Sequence, residues 1–171
     1  NAIKLFVDCF PLQNPDLTPQ QNEELLLSQF DHLKNVMNDS HVGVRIVASK
    51  GVCRILGIYW ELAPLPIIKN LVTKLVVDLA FDARYIDTFL VLSFFNYCFR
   101  SLVDGKLSCL YSSALVRAAV LRGLSFLLDN HLSHPLLKVV LPQMAALMHD
   151  PAESVRVAFA DILLVVKTIK S

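Results

Sequence analysis

An all-α solenoid of stacked antiparallel helix pairs is the fold class this sequence predicts, and three observations predict it. Apolar residues recur at three- and four-residue steps through most of the chain. A unit of apolar helix, aspartate, short break and a second helix opening on Val-Arg recurs along it. The composition is apolar beyond what a one-faced amphipathic chain requires, with 54% hydrophobic and 18% charged residues and a mean hydropathy of +0.51. Such helices are buried on more than one side, or they belong to a larger stack whose ends stand open. The most apolar run, 89–99, has eleven residues and includes Asn96. A membrane-spanning helix needs roughly 20 apolar residues, so no membrane is expected. The chain begins at Asn1 without an initiator Met or a leader pattern, which reads as an internal piece of a longer protein.

The first unit contains Asp39 and Val44-Arg45, and the last contains Asp150 and Val155-Arg156; in both, the arginine follows the aspartate by six residues. The middle unit is split, with Asp82 in LAFDA and Val116-Arg117 far downstream. An aspartate in the turn accepts backbone N–H groups at the start of the next helix. The arginine in that helix's first turn is then placed to pair with the aspartate of its own or a neighbouring unit, so Asp39, Arg45, Asp82, Arg117, Asp150 and Arg156 are the expected structural ladder.

The helices follow in order. Thr18 is the N-cap of the first long helix, with Pro19 at its first position and Gln21 as capping-box partner; Leu25, Leu26, Phe30, Leu33, Val36 and Met37 form its apolar face. After Val44 come Val47, Ala48, Val52, Ile55, Leu56 and Tyr59 at helical spacing. From about Pro66, Ile67, Leu71, Leu75, Val76 and Leu79 line the next helix. Ser133-His134-Pro135 opens a helix carrying Leu136, Val140, Met144 and Leu147, in which Pro142 predicts a kink. The last helix presents Phe159, Ile162, Leu163, Val166 and Ile169. Residues 1–17 end a preceding repeat, 18–60 form a repeat, 64–83 with 112–130 form an interrupted one, and 133–170 the last.

The interruption is measurable. Asp39 to Asp82 is 43 residues, which suits a HEAT unit of roughly 40–47, but Asp82 to Asp150 is 68. The excess, 84–111, holds 7 of the 15 aromatic residues and 2 of the four cysteines in 28 residues, and without it the interval falls to 40. It is either an inserted helix or loop, or the translation of a retained intron. Codons for Arg84-Tyr85 allow a splice donor and those for Leu110-Tyr111-Ser112 an acceptor, in frame, which favours the intron.

No chemistry-bearing constellation emerges. Cys9, Cys53, Cys98 and Cys109 have no metal-ligand spacing and read as scattered buried thiols of a reducing compartment. His131 and His134 lack a third ligand, and no glycine-rich phosphate loop or nucleophile turn is present, so no enzyme, cofactor, metal or small-molecule substrate is expected. A net charge of +1 gives no whole-chain footprint for nucleic acid. Lys50, Arg54, Lys69, Lys74, Lys167 and Lys170 are the candidate contacts to a DNA backbone, with solvated helix surface as the default for each.

The stretches AIKLFVDCFPLQNPD, GVCRILGIYWE, LAFDA with SSALVR, LDNHLSHPLLKVVLP and HDPAESVRVAFADILL resemble the HEAT-repeat G subunits of condensin II. The resemblance covers nearly the whole chain in order, apart from 84–111. It implies a nuclear, chromosome-associated scaffold that binds the kleisin (H) subunit and DNA in an assembly built on an SMC ATPase pair, acting in mitotic chromosome condensation and segregation. Periodicity alone leaves open a karyopherin-like or phosphatase-scaffold HEAT adaptor.

Overall fold

The computed structural model of the chain describes residues 2–79 and 113–169, and among them the only regular structure is helical. Seven α-helices follow in order: α1 (Ala2–Asp8), α2 (Pro19–Val36), α3 (Val42–Tyr59), α4 (Leu65–Leu79), α5 (Ala114–Leu128), α6 (His134–Gln143) and α7 (Glu153–Ile169). Asp82, the segment 84–111, Cys98, Cys109 and Lys170 lie outside the described residues.

Local chemistry sets the helix boundaries. Thr18 caps α2 through a reciprocal box: its Oγ1 accepts the Gln21 N–H at 3.3 Å, and the Gln21 Oε1 accepts the Thr18 N–H at 2.9 Å. Ser113 caps α5 by accepting the Leu115 N–H at 3.2 Å. In α6, Pro142 has no N–H to return to the preceding turn. The helix gives way two residues later to a 3-10 stretch, Met144–His149, so the expected kink takes the form of a tightened helix end.

Helices α1, α3, α5 and α7 form one layer, each packed against the next. Outside it, α2 lies on α3, α4 on α5, and the 3-10 extension of α6 on α7. This is a HEAT-like arrangement of helix pairs. The core between the layers is continuous, from Phe10 and Phe30 through Leu56, Leu71 and Leu75 to Leu121, Leu124, Met144 and Phe159. Burying each such side chain stabilises by about 1.5–3 kcal/mol, so this shared core is what joins the repeats. Phe6, Phe10, Phe30 and Tyr59 meet edge-on or tilted where α1, α2 and α3 converge. Nearby, the Gln29 side chain grips both backbone groups of Leu12 at 2.8 Å and ties the 9–17 connection, which includes a cis Phe10–Pro11 peptide, to α2.

Two residues depart from the expected pattern. Leu163 is 40% exposed, because Phe159, Ile162 and Val155 already fill the side of α7 that meets the core. Cys9 is exposed on the loop after α1, whereas Cys53 is fully buried, and burial pushes its thiol pKa far up and leaves it protonated.

Candidate functional site

The repeated Asp–Arg loops are built alike. After α2, the Asp39 Oδ1 accepts the His41 N–H at 2.7 Å, and Arg45 Nη1 donates to the carbonyls of Asp39 and Ser40 at 2.7 and 3.1 Å. Before α7, the Asp150 Oδ1 accepts the Ala152 N–H at 2.8 Å, and Arg156 Nη1 donates to the carbonyls of Asp150 and Pro151 at 2.7 and 3.1 Å. In each loop the aspartate shapes the turn, and the arginine six residues on satisfies carbonyls that the turn leaves open. Among the described residues, Arg45 and Arg156 therefore hold their loops through backbone carbonyls rather than through the aspartate carboxylates.

Arg117 does something different. Its Nε and Nη2 donate to Oδ2 and Oδ1 of Asp150 at 2.8 and 2.9 Å, a side-on pair with side chains only 7% and 0% exposed. The start of α5 is thus joined to the loop before α7, one unit further along. Of the two partners left open for Arg117, Asp150 belongs to the neighbouring unit, and Asp82, of its own unit, is outside the described residues.

The candidate DNA contacts separate into distinct environments. Lys50 and Lys69 are exposed. Arg54 is bonded to Asp8 at 2.7 Å, both half-exposed. Lys74 is only 14% exposed, and its Nζ meets the Asp78 Oδ1 at 2.7 Å. Four residues apart on α4, the two share the face that turns inward, so Lys74 serves an internal carboxylate and not the surface. Burial raises the Asp78 pKa above the ordinary value of 3.8, opposed by the charges of Lys74 and Arg45. The Lys167 side chain, like Lys170, lies outside what the structure describes.

Sequence reasoning passed over the glycines. A Cβ on Gly51 would stand 2.4 Å from the Val7 Cγ2, and one on Gly123 would stand 2.9 Å from the Cys53 Sγ. Both follow a repeat arginine by six residues, so the same place in the unit is kept bare where α3 meets α1 and where α5 meets α3. That shared offset was the available signal. Gly57 lies against the Phe126 carbonyl, and the Gly57 carbonyl accepts from Asn130 Nδ2 at 2.9 Å, pinning the loop after α5 to the end of α3.

Among the described residues, no three His, Cys, Asp or Glu gather to hold a metal ion. His134 Nε2 lies 2.9 Å from the Leu128 carbonyl oxygen, which gives that imidazole a structural role. An open cavity of about 390 Å³ is lined by Ala2, Ile3, Phe6, His32, Val36 and Val44. No described helix is long and apolar enough to cross a membrane.

Stacked helix pairs, arginine-braced loops and an inter-repeat ion pair define a HEAT-like helical repeat protein. Over all 171 residues the chain is 36% identical to condensin-2 complex subunit G2 of Xenopus laevis and 35% identical to those of Mus musculus and Homo sapiens. It therefore belongs with the condensin II G subunits, and it spans 12% to 13% of the length of these curated relatives. No family model and no solved structure matches it.

Proposed function

We propose that the chain is a non-catalytic scaffold of condensin II that binds the kleisin subunit, and with it DNA, beside the SMC ATPase pair. It acts in the nucleus on mitotic chromosomes. The observation that carries this reading is identity of 32–36% spread over the whole chain to four proteins sharing one subunit name. The geometry supports it. The loop chemistry repeated at Asp39–Arg45 and Asp150–Arg156 braces the turns between helices, and the buried pair Arg117–Asp150 serves the stack. Lys50 and Lys69 are exposed where a partner could meet them, whereas Lys74 is engaged internally.

The test is co-purification. The full chain, expressed with a kleisin (H) subunit of condensin II and, in parallel, with nuclear-transport cargo and phosphatase catalytic subunits, should retain the kleisin alone. Retention of cargo or phosphatase without kleisin would replace this reading by the adaptor one.

A further inference from the structure

We propose that Lys4, Lys50 and Arg122 form a row of cations that lies along the sugar–phosphate backbone of duplex DNA, an inference that rests on the condensin reading above. Helix register places them together. Lys50 and Arg122 each follow a repeat arginine by five residues, and each directly precedes a glycine at which neighbouring helices touch. Val7 meets Gly51 as Cys53 meets Gly123, so Val7 and Cys53 hold matching places on α1 and α3. Lys4 and Lys50 stand three residues before them. One residue after them stand Asp8 and Arg54, and these are bonded across the two helices at 2.7 Å, which fixes the register independently.

All three cations are exposed, and the core-facing side of α3 is taken by Ala48, Val52 and Leu56, so Lys50 faces away from the core. Adjacent helix axes lie about 8–10 Å apart, so the row extends about 20 Å, roughly six base pairs of duplex. It ends at α7, where the matching place is Asp161. Phe126 is exposed on the turn of α5 after Arg122, which makes an acidic peptide the rival occupant. Duplex DNA is favoured because each of three successive helices contributes a cation at the matching place, whereas exposed Phe126 has no aromatic counterpart on α1 or α3, and phosphates are held by charge rather than by burial.

The test uses the full chain assembled with its kleisin partner and a labelled random-sequence duplex, titrated between about 50 and 200 mM salt. The triple variant Lys4→Gln, Lys50→Gln, Arg122→Gln should bind about tenfold more weakly at the low end and lose about 2–3 from the log–log salt slope. The control triple Lys34→Gln, Lys106→Gln, Lys138→Gln removes equal charge from α2, from the interval 84–111 and from α6, and should bind like the parent. Matching melting curves establish that both triples fold. Equal losses in the two triples, or an unchanged slope in the first, would overturn the row while leaving the DNA reading in place. Loss of labelled poly-glutamate binding with duplex binding intact would assign the row to an acidic peptide. An unaltered assembly that retains kleisin but has no affinity for duplex would overturn the row and the DNA reading together.

Discussion

The Arg117–Asp150 pair shows how much one residue can be asked to hold. Asp150 accepts two buried bonds from Arg117 and a part-buried one from the Ala152 N–H. Arg117→Ala leaves that carboxylate buried without its counter-charge, and should cost about 3–5 kcal/mol in urea unfolding. Arg45→Ala removes bonds to two carbonyls at a half-buried loop, and about 1–2 kcal/mol is expected in the same measurement. Asp78 carries a pH signature of the opposite kind from most carboxylates. Its folded pKa is raised, so the folded chain holds this proton more firmly than the unfolded chain. The cost of ionising it is absent below the ordinary value of 3.8 and grows as pH rises from there through the folded value. Stability of the parent minus that of Asp78→Asn should therefore fall across that window and stay level above it, as read by thermal unfolding at a series of pH values. Residue roles that depend on a few neighbours in the chain were legible beforehand. The Thr18–Gln21 box and the Asp39 and Asp150 turns are of this kind, because their partners lie two to six residues away. Lys74 was not legible, since whether a lysine faces solvent or an internal aspartate depends on which side of α4 the rest of the molecule covers.

At the scale of elements, the contacts between α1, α3 and α5 depend on the absence of side chains. Gly123→Val should drive a branched side chain into Cys53, and Gly51→Val into Val7, each costing about 1–3 kcal/mol or more. Gly43 has nothing within 4 Å of its Cβ position and lies in the first turn of α3, so Gly43→Ala should stabilise by up to about 1 kcal/mol. A melting series over the three variants checks the contrast. The apolar stripes of α2, α3 and α4 could be read from sequence because a 3.6-residue period marks one buried face. The glycine contacts could not, because close approach is a property of two helices and only the repeat register links Gly51 to Gly123. Leu163 illustrates the same limit, as it continues the period of α7 but falls where no second helix covers it among the described residues. The 28-residue interval that breaks the repeat is also an element-scale proposal: we propose that 84–111 is dispensable to the helix pairs. A chain lacking it should melt cooperatively and keep the Arg117→Ala penalty, and transcripts spanning the junction should include a form shorter by 28 codons.

For the whole molecule, one core runs between the two helix layers of the described residues, from α1 to α7, and joins each helix pair to the next. That continuous core accounts for a sequence rich in apolar residues. The fold class follows from periodicity and repeat length; the assembly proposed for it rests on similarity alone, because many partners can be carried on stacked helices. The most direct measurement is therefore a chimera. In Xenopus laevis condensin-2 complex subunit G2, the aligned segment is replaced by these 171 residues, and the chimera is expressed with the remaining condensin II subunits. The account predicts that the chimera co-purifies with the kleisin and the SMC pair at the level of the parent subunit. A chimera that melts cooperatively but is left out of the assembly would contradict it.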